Sequence, residues 1–300
     1  MATMCECNIS FGNTGKANCE PISDVTAKLI FVKTYADDGT RNAVLLTQAV
    51  DETFLLERLN DADKSKRWYP SRPLVNVVDE RADPVTETIE GVNYITDEGV
   101  RTFVGESVKT DTVYLGKISR GKCGAFSVFV VDKSGRLIGE ISADGLSLNP
   151  LMIEQGTFST KLVKTTSATV QRTQISFAYS TLIQDEDLRL RSSCADLVNA
   201  QGLLDVNAAV SGEAVTGFAS VLTLDYGFAG APRPVVGWVS ADFEVYNVTQ
   251  ATSITPISVT ENPDGTYTFV YTAAASADVI RLTQSATKTG FELYKLITTP

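Results

Sequence analysis

Histidine is absent from all 300 residues. That excludes Ser-His-Asp and Cys-His nucleophiles, any intrachain zinc site with imidazole ligands, and the commonest proton-transfer group near neutral pH. Carboxylate, lysine and tyrosine chemistries stay open, yet no Rossmann, kinase or hydrolase motif is present to organise them. Basic charge is scarce: 26 Lys and Arg against 36 Asp and Glu leave a net charge of −10. An acidic balance works against a nucleic-acid groove, which needs a basic face to displace counterions. No run of about 18 apolar residues occurs, so no helix is expected to span a bilayer. The start, Met1 to Asn8, has neither a basic stretch nor an apolar one, and predicts no signal peptide and retention in a cytosol.

Cysteine is sparse and odd in number: Cys5, Cys7, Cys19, Cys123 and Cys194. An odd count without a secretion signal speaks against a disulfide framework. Cys5, Cys7 and Cys19 offer three thiolates to a metal, but the spacing C-x-C-x11-C is not that of a finger or ribbon, and free thiols are the preferred reading. Neither a metal nor a cofactor is therefore expected. Gly12-Asn-Thr-Gly-Lys16 misses the phosphate-loop spacing and follows no strand. Asn247-Val-Thr249 is a glycosylation sequon without consequence in an unsecreted chain.

What the sequence does contain is β pattern. After a polar lead-in to about Pro21, Ala27–Tyr35 reads as a strand, Asp37-Asp-Gly39 as a turn, and Asn42–Leu46 as a return strand. Asp51–Asn60 is the best helix, with Asp51 as cap, Glu52 in the first turn, and a stripe of Leu55, Leu56, Leu59 and Ala62 that should lie across a sheet. From Leu74 the pattern is β again. Leu74–Val78, Thr112–Ile118, Phe126–Val131, Leu137–Ile141, Thr157–Lys164 and Val170–Tyr179 read as strands, and Arg81–Phe103 is Thr/Val/Ile/Tyr-rich with a break at Asp97-Glu-Gly99. Asp132-Lys-Ser-Gly135 has hairpin chemistry.

Charged residues thin out near residue 200: residues 1–200 carry 22 basic and 27 acidic side chains, residues 201–300 only 4 and 9. This predicts a division into 1–201 and 202–300, with a junction near Asn199–Gly202. The second region shows about seven short strands, at 204–210, 216–225, 235–245, 254–260, 267–271, 279–283 and 292–297. That is the arithmetic of an immunoglobulin-like sandwich, with Trp238 in its third strand and no intersheet disulfide.

Candidate chemistry is thin. Asp97-Glu98 and Asp185-Glu-Asp187 are acidic clusters that can hold Ca²⁺ or act as acid and base. Without a D-x-D-x-D-G loop they read better as solvated turns. Lys64-Ser-Lys-Arg67 beside Trp68 and Tyr69 can grip a phosphate backbone, but on an acidic chain reads as a solvated helix end. No catalytic, cofactor-binding or metal residues are assigned. Strand edges to pair or cover are abundant, and symmetric self-association is a low-cost use of them.

The order of elements, strands with a short helix, a β-rich core and an immunoglobulin-like C-terminal domain, resembles bacteriophage tail tube (major tail) proteins. Asp79–Phe103 looks like their extended loop and strand region, and Val259–Tyr271 resembles an E–F corner of immunoglobulin-like domains appended to virion proteins. The resemblance implies an all-β fold, a tube-like β-barrel or sandwich core followed by an immunoglobulin-like sandwich. It also implies a non-enzymatic virion protein, assembled in the host cytoplasm, whose hexameric rings stack into a tube. Its partners would be itself and other tail proteins, with DNA passing unbound through the lumen and no membrane contact. Asp79, Glu80, Asp83, Glu87, Glu90, Asp97 and Glu98 are the acidic residues that would be available to such a lumen. The alternatives are a capsid decoration or head-fibre protein, or a carbohydrate-binding virion protein using Trp238, Tyr246 and Tyr267.

Overall fold

The computed structural model describes residues 22–97, 99–212, 215–224, 233–272 and 274–300. The fold is mainly β. Up to residue 200 the elements are β1 (Thr26–Lys33), β2 (Val44–Leu45), α1 (Glu52–Leu59), β3 (Tyr69–Pro70), β4 (Leu74–Arg81), β5 (Val85–Ile89), β6 (Val92–Asp97), β7 (Arg101–Val108) and α2 (Thr112–Ser119). They continue with β8 (Phe126–Asp132), β9 (Leu137–Ile141), β10 (Ser147–Asn149), β11 (Leu151–Met152), β12 (Ser159–Val163), β13 (Arg172–Ala178) and β14 (Leu188–Arg191). After residue 200 come β15 (Leu204–Ser211), β16 (Gly217–Leu224), β17 (Arg233–Pro234), β18 (Phe243–Asn247), β19 (Thr252–Ile254), β20 (Ser258–Glu261), β21 (Thr266–Val270), β22 (Val279–Gln284) and β23 (Phe291–Thr298).

The first sheet has the order β2-β10-β9-β8-β1-β3, with β11 on β8 and β14 on β9. Its central pair, β1 and β8, is nearly continuous in apolar residues because both faces are covered. Ile30, Val32, Phe129 and Val131 join Phe54, Leu55, Leu59 and Trp68 in one core. Leu29, Phe31, Val128 and Val130 join Leu74, Phe103, Ile175 and Phe177 in a second. The second core is closed by a four-stranded antiparallel sheet, β12-β13-β7-β4. Aromatic rings knit both layers: Trp68 meets Phe54 and Phe129 at centroid distances of 5.4 Å each, and Phe103 stacks on Phe177 at 5.0 Å. Lys28 is the polar exception in β1, only 2% exposed; its ammonium donates to the Ala200 carbonyl.

Asp51 caps α1, accepting from the Phe54 amide at 2.9 Å. The buried stripe is Phe54, Leu55 and Leu59; Leu56, expected inside, is exposed. The strand expected at Thr112–Ile118 is instead a second helix, α2, so the expectation of one helix is corrected. Asp111 caps it, accepting from the Tyr114 amide at 2.7 Å, and the short apolar segment fits either period until the cap decides. Tyr114 and Ile118, four residues apart, share a face. Ile118 packs on the second core, while the Tyr114 ring lies under the Arg72 guanidinium at 4.7 Å.

Residues after 200 form one path, β19-β18-β22-β23-β15-β16-β21-β20, with β17 on β16. Neighbours run antiparallel except β15 and β23, which are parallel. The sequence expectation of a strand over 235–245 is corrected to β18. Gly237 has φ +78°, and the Trp238 amide donates to the Tyr267 hydroxyl at 3.2 Å rather than to a strand. Trp238 is buried, but in the loop before β18. The single strand expected at 254–260 is split into β19 and β20, which pair with different neighbours; Pro256, lacking an amide donor, lies between them. Among the described residues, strand ladders join only residues on the same side of residue 202. Polar contacts cross it: Glu292 meets Lys64 at 2.6 Å and Arg67 at 3.0 Å, Lys117 meets Asp205 at 2.9 Å, and the Gly290 amide donates to Asn60 Oδ1 at 3.0 Å.

Candidate functional site

One part of the chain departs from the rule that apolar strands are covered. β5 and β6 form a two-stranded ribbon of their own, inserted between β4 and β7. Glu90 and Gly91, both at positive φ (50° and 83°), make its tight turn, the backbone that a type I′ hairpin requires. Ile89 pairs with Val92, Glu87 with Tyr94, Thr88 with Asn93 and Thr86 with Ile95. Opposite residues share a face, so Ile89, Val92 and Tyr94 line one side with Glu87. None of this is covered: Val85 is 57% exposed, Ile89 50%, Val92 52%, Tyr94 52% and Ile95 64%. From Ala82 to Val100 the sequence has five carboxylates, Asp83, Glu87, Glu90, Asp97 and Glu98, and no Lys or Arg.

The root of this arm is tied down by charge. Arg101, opening β7, makes a two-pronged contact with Asp79 of β4, Nε to Oδ1 at 2.7 Å and Nη2 to Oδ2 at 3.1 Å. The guanidinium lies 5.0 Å from the Tyr179 ring, whose hydroxyl donates to Asp79 Oδ2 at 3.2 Å. Asp185, in the 3-10 turn Asp185–Asp187, holds Arg81 at 3.1 Å and Arg101 at 3.6 Å. Arg81 also donates to the Gly99 carbonyl at 3.3 Å. Burial opposes the Arg101 charge, but the hydrogen bonds and charge of Asp79 outweigh it and raise the pKa above its ordinary value. Burial first, then the Asp79 charge, pushes the Tyr179 phenol well above its usual range, so it stays a donor. Gly99, at φ +76°, is required here: a Cβ would run into the Ala82 carbonyl oxygen.

This arrangement positions; its charges are already matched. The cleft beside Arg81, Gly99, Arg101 and Tyr179 has room for no more than about one water. Asp79 and Asp185 both lie against Arg101 rather than flanking an open space. Among the described residues no three His, Cys, Asp or Glu are grouped to hold a metal, and no helix is long and apolar enough to cross a membrane.

The other sequence candidates disperse. Glu80, Asp83, Glu87 and Glu90 are exposed along β4 and the arm. Glu98 and the side chain of Asp97 lie outside the described residues, as do Cys5, Cys7, Cys19 and the Gly12–Lys16 segment. Cys123 and Cys194 are exposed free thiols. Lys64 and Arg67 are spent on Glu292, Lys66 on Asp38 at 2.7 Å, and Trp68 is core. Trp238 and Tyr267 are buried and offer no stacking face; Tyr246 is half-buried with the Arg281 guanidinium 4.7 Å from its ring. Asn247 is buried, its amide donating to Asp278, so the sequon is sealed. Sequence reasoning missed Arg81, Arg101 and Tyr179. The signal was available for the first two, since they bracket a stretch without a single basic residue. Tyr179 carried none beyond its place in an alternating strand.

No protein-family model matches the chain, and neither a curated protein nor a solved structure matches it.

Proposed function

We propose that this chain is a non-enzymatic virion structural protein, a phage tail tube subunit that self-assembles into stacked hexameric rings. The observation that carries the reading is the β5–β6 arm. A two-stranded ribbon alone in water is marginal at best, and this one keeps Ile89, Val92 and Tyr94 on one uncovered face. A contiguous uncovered apolar face belongs to a contact. The anchored root supports the same reading by fixing where the arm leaves the sheet. Residues 202–300 are read as an immunoglobulin-like sandwich carried outside the tube. Their strand order supports it: β15, β16, β21 and β20 on one side and β23, β22, β18 and β19 on the other match the A-B-E-D and G-F-C-C′ division of such domains. The net charge of −10 suits a conduit past which DNA slides without being gripped.

Negative-stain microscopy and sedimentation of the purified chain test the proposal. Rings or tubes are expected as concentration rises. A chain that stays monomeric at high concentration, with no rings on the grid, overturns it.

A further inference from the structure

The four-stranded sheet has two unlike ends. Arg81, Arg101 and Ala178 lie at the arm end, where Arg81 pairs with Arg101 and Thr102 with Ala178. Leu74, Val108, Arg172 and Val163 lie at the other, where Leu74 pairs with Ser107 and Arg172 with both Val108 and Val163. Seven residue steps along β7 separate them, roughly 23 Å at about 3.3 Å per residue, and the arm springs from the first end. The far end is chemically the arm's opposite. Its carboxylates are engaged: Glu106 holds Arg172 at 3.1 Å, and Asp111 caps α2 and meets Arg72 at 3.7 Å. Lys109, Lys161 and Lys164 are exposed and make no ion pair among the described residues. Between them the far end exposes Val75, Val108 and Val170. From Gln155 to Gln184 the sequence has no acidic residue at all.

We infer that the acidic, apolar β5–β6 arm of one copy docks on the basic, valine-bearing far end of the β12-β13-β7-β4 sheet of a second copy. The inference rests on the self-assembly reading above and names the two surfaces it uses. Ile89, Val92 and Tyr94 supply apolar area to meet Val75, Val108 and Val170, while Glu87 and Glu90 face Lys109, Lys161 and Lys164. Within its own chain the arm does not cover the far end of the sheet: the apolar residues of both surfaces are exposed. The contact joins two unlike surfaces, so repeating it in one sense closes a ring or propagates a stack. Charge pairs at such a contact set register and speed encounter, and salt weakens them.

The test is a charge swap read by sedimentation velocity. One variant carries Glu87→Lys and Glu90→Lys; the other carries Lys161→Glu and Lys164→Glu. All four side chains are exposed, so both variants are expected to melt like the wild type. Each alone is expected to associate at least tenfold more weakly than the wild type, since its arm and its far end then carry like charge. Mixed in equal amounts they are expected to co-assemble, because each arm finds an opposite far end. Wild-type assembly that persists in both single variants, or a mixture that fails to recover it, overturns the docking inference while leaving self-assembly standing. A wild type that never associates overturns both.

Discussion

The β1–β8 ribbon and the β5–β6 ribbon both carry β-branched and aromatic residues, yet their surroundings are opposite. β8 is buried from Ser127 to Asp132, with one core on each face; β5 is exposed at every residue. Apolar content alone does not account for the difference, since the uncovered arm still carries Val85, Ile89, Val92, Tyr94 and Ile95. What decided it was cover: α1 closes one side of β1–β8 and the four-stranded sheet the other, whereas the arm is spliced into the β4–β7 connection, beyond the reach of either. An apolar strand in a core and an apolar strand left uncovered look alike until neighbours are counted.

The largest break in that contrast should come from the covered ribbon. Phe129→Ala removes a fully buried ring packed on Trp68 and is expected to cost about 3–5 kcal/mol in denaturant unfolding. Next is Lys28, the cation in the same ribbon. Burial first, against the weaker pull of Asp196, lowers its pKa from 10.5 to about 8. Between those values the unfolded chain binds more protons than the folded one, so stability should rise as pH climbs from about 8 to 10.5. The gain is roughly 3–4 kcal/mol at about 1.4 kcal/mol per pKa unit. In Lys28→Met that rise should vanish from the pH series; a variant that keeps it would show that Lys28 is not its source. At the root, Tyr179→Phe deletes the hydroxyl that donates to Asp79 and is expected to cost about 1–2 kcal/mol. Smallest is the arm: Ile89→Ser with Val92→Ser should change the unfolding free energy of the isolated chain by less than about 0.5 kcal/mol, while weakening self-association. A large stability loss there would mean that the arm is covered within its own chain. Limited proteolysis sharpens the other division. Cleavage near 196–204 should release a folded fragment of about 95 residues, by the strand spacing of a sandwich domain, and an unfolded fragment would reject that boundary.

Several elements were readable before any coordinates. Asp51 announced α1, Asp132–Gly135 announced the β8–β9 hairpin, and the Ile175–Phe177–Tyr179 alternation announced a half-buried strand, because caps, turns and period-two patterns act within a few residues. Thr112–Ile118 reads as a strand because a short apolar run fits both periods, and it is the Asp111 cap that makes it a helix. Val235–Val245 reads as one strand, yet an apolar segment can bury its side chains from a loop when its amides find partners elsewhere, as Trp238 does on Tyr267. The candidate site was half legible: its carboxylates stood out, while the arginines and the tyrosine that hold the root did not.

By itself, the sequence determined the β character, the lack of imidazole chemistry, the acidic balance and the acid-only stretch between Arg81 and Arg101. These follow from composition and local pattern. Only the tertiary structure decided that Asp79, Arg101, Tyr179 and Asp185 form one cluster, although up to about a hundred residues separate them. It also decided that the acidic arm and the free lysines stand at opposite ends of one sheet. Strand pairing is non-local, and which charges meet depends on register that residue order alone does not carry.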